Sequence, residues 1–160
     1  RDLVFIDQRY LVLRDHIELS KPGKLSWLLH AEYHLAWDGA TNRAFIRGEK
    51  AALTAQLFAP DVVWRGSVTD QFPVPVDQKY AKGEVTGSYL TGKWHNQQHL
   101  TLESSGTATN YTVWTVLWPE RNGAAPVALK AEWQSGAFVI TRPDGQTDTL
   151  TLTHDSINLR

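Results

Sequence analysis

Short runs of β-branched and aromatic residues recur along the chain, and Gly, Pro, Asn and Asp separate them. Many of the runs alternate apolar and polar residues, as strands with one buried face do. The segments KPGK at 21–24, RNGAAP at 121–126 and RPDGQ at 142–146 supply the Pro and Gly that tight hairpins favour. Helical spacing of apolar residues is hard to find in any segment. The pattern predicts an all-β fold, an antiparallel β-sandwich of two stacked, twisted sheets.

The predicted strands form one domain spanning residues 1–160, with no internal repeat and no linker. Prolines at 73 and 75 and glycines at 83, 87 and 92 interrupt any strand, so residues 69–97 are predicted to form one long irregular excursion. The predicted strands are Leu3–Ile6, Tyr10–Leu19, Leu25–Trp37, Arg43–Arg47, Ala52–Ala59, Val62–Arg65, Gln98–Glu103, Tyr111–Trp118, Ala125–Trp133, Ala137–Thr141 and Thr147–Thr153.

Composition excludes several classes of function. The formal charge of −1 lacks the basic excess of a nucleic-acid-binding protein. No apolar run approaches the roughly 20 residues of a membrane span, so no membrane partner is expected. The chain has no cysteine, so only His, Asp and Glu could hold a metal. It also has no methionine, and we expect a processed chain or a piece of a longer one.

The segment SWLLHAEYHLAWDG at 26–39 concentrates ionisable side chains on one predicted strand. Alternation places His30, Glu32 and His34 on the polar side, opposite a side that carries Trp27 and Leu35. The α-carbons of His30 and His34 would then be about 13 Å apart, too far for one zinc without a bulge. His30 with Glu32, about 6.6 Å apart, is the more feasible pair. For His34 the simpler interpretation is an exposed or hydrogen-bonded histidine.

Asp15 is anomalous because it shares the parity of Leu13 and Ile17 on the preceding strand. A carboxylate among leucines is costly to bury unless a cation or several donors compensate it. One interpretation is an aspartate that bonds a turn or pairs with an arginine such as Arg14 or Arg43. The other is a metal ligand or an orienting partner for a histidine. A hairpin at 21–24 would place Asp15 across from the strand of His30, although the two have opposite parity.

The segment GKWHNQQHL at 92–100 groups Lys93, Trp94, His95 and His99. An aromatic face beside basic and amide groups suits an acidic sugar, although a loop tryptophan also serves to cover a core. Trp114 and Trp118 fall on one face of a strand whose two faces are both largely apolar. That pattern indicates a central strand with core tryptophans, and a carbohydrate-binding stripe is the alternative.

The succession RYLVLRDHIELSKPGKLSWLLH, then AQLFAPDVVW and later NYTVWTVLWPE, resembles the β-sandwich region of the heparinase II/III-like polysaccharide lyases. The resemblance covers about the first two thirds of the chain and is strongest up to Pro60 and over 111–119. It implies a bacterial enzyme, periplasmic or secreted, that cleaves uronate-containing polysaccharides by β-elimination. In such enzymes an α/α toroid precedes the sandwich, and the substrate cleft lies between them.

The resemblance also implies site residues. Asp15 matches an aspartate, and His30 a histidine, that hold zinc in some members. The metal expected here is divalent, zinc or calcium, and its site would be incomplete in this chain. Glu32, His34, Lys93, Trp94, His95 and His99 are the predicted contacts with acidic polysaccharide. No catalytic residue is predicted, because the toroid carries the tyrosine acid and base. We therefore expect part of a lyase that is inactive alone. The alternatives are a non-catalytic carbohydrate-binding module and a purely structural interdomain sandwich.

Overall fold

The computed structural model describes residues 1–32, 34–70, 97–121, 123, 127–152 and 157–159, and these contain thirteen strands and no helix. The strands are β1 (Asp2–Ile6), β2 (Tyr10–Gly23), β3 (Ser26–Ala31), β4 (His34–Asp38), β5 (Arg43–Arg47), β6 (Ala51–Phe58), β7 (Trp64–Thr69), β8 (Gln98–Ser104), β9 (Ala108–Arg121), β10 (Lys130–Gln134), β11 (Ala137–Thr141), β12 (Thr147–Leu152) and β13 (Ile157–Leu159). Among the described segments, no helix offers the length and apolar character that crossing a membrane requires.

Three antiparallel sheets make up the described part of the chain. A six-stranded sheet, in the order β1-β2-β9-β6-β5-β4, lies between a three-stranded sheet, β3-β8-β7, and a four-stranded sheet, β10-β11-β12-β13. The prediction of an all-β antiparallel sandwich is confirmed, and the structure adds a third sheet to the two that were expected. The central position predicted for the strand of Trp114 is confirmed as well, because β9 pairs with both β2 and β6.

Alternation along β9 supplies both cores. Tyr111 and Val113 pack toward the three-stranded sheet, whereas Trp114 and Val116 pack toward the four-stranded sheet. Burying each large apolar side chain contributes about 1.5–3 kcal/mol. Trp114 is fully buried and stacks on Phe138, with ring centroids 4.6 Å apart. The core role predicted for Trp114 is therefore confirmed.

The predicted hairpin at 21–24 is wrong. Within the described residues β2 pairs with β1 and β9 in the six-stranded sheet, and β3 belongs to the three-stranded sheet. Instead β2 continues to Gly23, and the register between β2 and β9 shifts before Gly23 is reached. The carbonyl of Gly23 accepts a 2.6 Å hydrogen bond from the Tyr111 hydroxyl. The chain then crosses to the other layer, and β3 pairs with β8.

The predicted strand Leu25–Trp37 is two strands. β3 ends at Ala31, Glu32 lies in a bend, and β4 starts at His34 in a different sheet. The alternation still identified the buried side chains, because Ala31 and Leu35 pack into the same core from the two sheets.

Some other predicted boundaries lie close to those observed, whereas the strand predicted at Val62–Arg65 is β7 at Trp64–Thr69, which includes the first residue of the predicted excursion. Arg43–Arg47 and Ala137–Thr141 coincide with β5 and β11, and the hairpin at 142–146 is confirmed by the pairing of β11 with β12. Gly145 adopts a φ of 84°, which a residue with a side chain rarely takes. The predicted strand Ala125–Trp133 is wrong at its start, since β10 begins at Lys130. Most of the predicted excursion, residues 71–96, lies outside the described residues.

A buried ion pair fastens the four-stranded sheet to the central sheet. The Arg142 guanidinium donates two hydrogen bonds to the Asp148 carboxylate and one of 2.6 Å to Asp7 in the β1–β2 turn. The Tyr10 hydroxyl donates a 2.5 Å hydrogen bond to the same Asp148 carboxylate. Burial alone would raise the pKa of Asp148, but the hydrogen bonds from Arg142 and Tyr10 hold it below its ordinary value. Sequence reasoning did not identify this cluster.

Candidate functional site

The outer face of the three-stranded sheet carries two of the predicted site residues, His30 and His99. Trp27, Leu29 and Ala31 of β3 pack into the core, so alternation directs Ser26, Leu28 and His30 outward. In register, this outer face has three rows: Ser26, Glu103 and Arg65; Leu28, Thr101 and Ser67; His30, His99 and Thr69. Hydroxyl, imidazole and guanidinium groups that share a flat face can donate hydrogen bonds to sugar hydroxyls and carboxylates.

His30 and His99 form a cross-strand pair on this outer face. Their α-carbons are partners across β3 and β8, and their rings meet edge to face with centroids 4.3 Å apart. His30 is exposed and His99 is half-buried. Burial of His99, with the nearby His30, lowers the pKa of His99 below its ordinary value. The structure thus brings together two histidines to which the sequence assigned separate roles.

Glu32 and His34 follow His30 along the chain. Both side chains are exposed. His34 is on β4, an edge strand of the six-stranded sheet, and lies opposite Arg47. His30 and His34 therefore belong to different sheets. Lys93, Trp94 and His95 lie outside the described residues, so their predicted contacts with polysaccharide stay predictions, as do those of Glu32, His34 and His99.

Asp15 has an arginine partner, although neither of the arginines proposed from the sequence. The Arg1 guanidinium donates two hydrogen bonds to the Asp15 carboxylate, of 2.6 and 2.9 Å. Asp15 lies directly opposite Val113, which points into the core, so its side chain faces the three-stranded sheet. The ion pair compensates the carboxylate that the sequence places among leucines.

A cavity of about 290 Å³ lies beside this ion pair, at the margin between the central and three-stranded sheets. Its lining combines charged and apolar groups: Arg1, Asp15, Ile17, Leu25, Ser26, Trp27, Leu28 and Val113. Trp27 closes the core at this margin, because it packs against the cluster beneath the three-stranded sheet. The cavity joins the start of β3 to the middle of β2.

The predicted metal ligands lie on different surfaces. Asp15 points into the layer between the sheets, whereas His30 points away from it on the outer face. Within the described ranges, no three His, Asp or Glu side chains come close enough to form a metal-binding group. The imidazoles of His30 and His99 supply two neighbouring nitrogen ligands, whereas zinc usually takes four ligands. A divalent metal at Asp15 and His30 stays a prediction.

The chain matches no known protein family model and no curated protein. Its fold is similar to that of two solved structures of heparan sulfate lyase HepC from Pedobacter heparinus, the enzyme and a mutant of it. The TM-scores are 0.62 and 0.61, at 16% and 17% sequence identity. Each match covers 96% of this chain and 24% of the lyase chain. The chain therefore has the fold of a region that makes up about a quarter of that lyase.

Proposed function

We propose that this chain is the β-sandwich domain of a heparinase II/III-like polysaccharide lyase, periplasmic or secreted, and is not catalytic alone. The observation that carries the proposal is the similarity to a heparan sulfate lyase, which spans nearly the whole chain but a quarter of the enzyme. The order of the sequence segments that resemble the lyase family supports the same assignment. The intact enzyme would remove the proton beside a uronate carboxylate and expel the glycosidic oxygen, by β-elimination.

The outer face of the three-stranded sheet is the surface we assign to one wall of the cleft. It carries His30 and His99 side by side, with Thr101 in the next row. Their N–H and O–H groups can hold a uronate sugar in place by hydrogen bonds. The acid and base that move protons would come from the toroid that precedes the sandwich, so this domain supports the toroid and positions substrate.

The test is a β-elimination assay that follows the ultraviolet absorbance of the unsaturated uronate product. The natural protein containing this chain and the 160-residue chain alone are each incubated with heparan sulfate, with other uronate polysaccharides and with a polysaccharide that has no uronate. We expect the longer protein to release product from a uronate polysaccharide only, and the 160-residue chain to release none. Product from the chain alone, or none from the longer protein, would refute the proposal.

The proposal of a divalent metal at Asp15 and His30 has its own test. Elemental analysis of the purified longer protein, with Asp15 intact and with Asp15→Ala, should show zinc or calcium that the variant loses. Protein without either metal in the unsubstituted form would refute a metal at Asp15 and His30.

A further inference from the structure

Within the described residues, the three-stranded sheet covers one face of the central sheet along only part of its width. Ile17 and Val113 on this face pack against the three-stranded sheet. Leu13 and Leu11, two and four residues before Asp15, point to the same side of β2. Their cross-strand partners on the edge strand β1 are Leu3 and Phe5. The same sheet face therefore continues past the cover as an apolar strip of Leu3, Phe5, Leu11 and Leu13.

The side chains of the apolar strip are partly exposed. Leu3 is 60% exposed and Phe5 57% exposed, and Leu11 and Leu13 are half-buried. The Arg1–Asp15 ion pair borders the strip where the cover ends. An apolar centre beside a charged margin is the anatomy of a protein–protein interface.

We propose that the apolar strip is the docking surface for a second folded domain of the same polypeptide, which would complete the layer begun by the three-stranded sheet. The inference rests on the proposed function, since the matched region is 24% of a lyase chain and the rest of such an enzyme must pack somewhere. The partner surface is itself apolar and carries a polar group that reaches the Arg1–Asp15 pair.

The size of the strip favours a tethered domain over a second copy of this chain. A fully exposed aromatic side chain offers about 150–250 Å², so four partly exposed apolar side chains offer on the order of 300 Å². A stable complex of free proteins buries about 800 Å² on each partner. A covalent tether raises the effective concentration to about the millimolar range, at which a smaller contact suffices.

A domain docked on the apolar strip would lie beside β3, the edge strand of the three-stranded sheet. The cavity lined by Arg1, Asp15 and Trp27 would then open into the crevice between the domain and β3. His30 lies further along β3 on its outward side. The docking surface and the proposed cleft wall are thus neighbours, and one domain can contact the first while facing the second.

Hydroxyl-radical labelling of Phe5 and Leu3 tests the docking surface without depending on turnover. The 160-residue chain and the longer natural protein are labelled in parallel, with Val63, which is 71% exposed and distant in sequence, as the internal control. We expect Phe5 and Leu3 to be labelled in the chain and protected several-fold in the longer protein, with Val63 labelled equally in both. The double variant Leu3→Thr/Phe5→Thr should lower the thermal unfolding midpoint of the longer protein more than that of the chain, and Val63→Thr should lower neither.

Equal labelling of Phe5 in the chain and in the longer protein would overturn the inference. So would protection of Phe5 in the chain alone that increases with concentration, because a second copy would then cover the strip. A longer protein that protects Phe5 but cleaves no uronate polysaccharide would refute the proposed function and leave the docking surface supported.

Discussion

The imidazole ring of His99 lies edge-on to that of His30, with 4.3 Å between the ring centroids, on paired strands of the outer sheet. Each ring removes part of the other's contact with water, and a proton on one disfavours a proton on the other. The pair is thus a local electrostatic feature of the proposed cleft wall, and the chain's stability should reflect it.

The free energy of unfolding should decrease as the pH is lowered through the range in which histidine titrates. Burial and the neighbouring His30 lower the pKa of His99 in the folded state. Because the unfolded chain keeps the ordinary value of roughly 6.5, it binds the proton more readily, and stability is lost as pH falls below that value. Urea unfolding just above pH 6.5 and about one unit below it measures the loss.

His99→Gln should remove part of this pH dependence. His34→Gln is the matched control, because His34 is exposed on a different sheet. An equal slope of stability against pH in wild type and His99→Gln would contradict the attribution of the pH dependence to His99.

Asp148→Asn should destabilise the chain by about 3–5 kcal/mol, because it removes the charge that compensates a buried arginine. The side chains of Asp148 and Arg142 are only 7% and 6% exposed. Denaturant unfolding followed by tryptophan fluorescence gives the free energy of unfolding. Arg9→Gln, which breaks the exposed Arg9–Asp144 pair of 3.4 Å, should cost less than about 1 kcal/mol. Similar losses in the two variants would contradict this account.

Acid should also weaken the fold through Asp148. Its folded-state pKa is lowered by hydrogen bonds from Arg142 and Tyr10, which outweigh its burial. The stabilisation is therefore present above the ordinary aspartate value of about 3.9 and is lost as pH falls through the folded value. As the pH is lowered through this range, the thermal unfolding midpoint of wild type should fall steeply, and that of Asp148→Asn should fall less. Parallel curves would show that other carboxylates dominate.

Gly66→Ala should cost about 1–3 kcal/mol by overpacking. A β-carbon at Gly66 would lie 2.6 Å from Cδ1 of Trp37 and 2.9 Å from Cδ2 of Leu102, and both belong to the packed layer. Gly106→Ala is the control, because a β-carbon there meets nothing within 4 Å. Denaturant unfolding of both variants checks the difference, and an unchanged Gly66→Ala would show that the indole shifts freely.

Alternation in the sequence predicted the fold well because side-chain parity depends on neighbouring residues alone. Leu35 and Trp114 were assigned to the core from parity, and both are buried. Strand pairing depends on distant segments, and no local signal shows that β3 pairs with β8 and not with β2. For the same reason the sequence could not reveal that His99 lies against His30 or that Arg1 pairs with Asp15.

The Arg142–Asp148 pair was missed for a related reason. Asp148 shares the buried side of β12 with Leu150. A carboxylate at an apolar position is the same signal that marked Asp15. The groups that compensate Asp148 come from the start of β2 and from the β11–β12 turn, and only the folded chain brings Tyr10 and Arg142 to it.

The most direct test of the central claim, that the outer face of the three-stranded sheet is a wall of a lyase cleft, is kcat/KM of the longer natural protein on its uronate polysaccharide. With the double substitution His30→Gln/His99→Gln, we expect kcat/KM to fall by about tenfold or more, equivalent to about 1.4 kcal/mol. Glu132→Gln, an exposed residue of the four-stranded sheet, should leave it unchanged. A folded double variant with the full kcat/KM of wild type would contradict the claim.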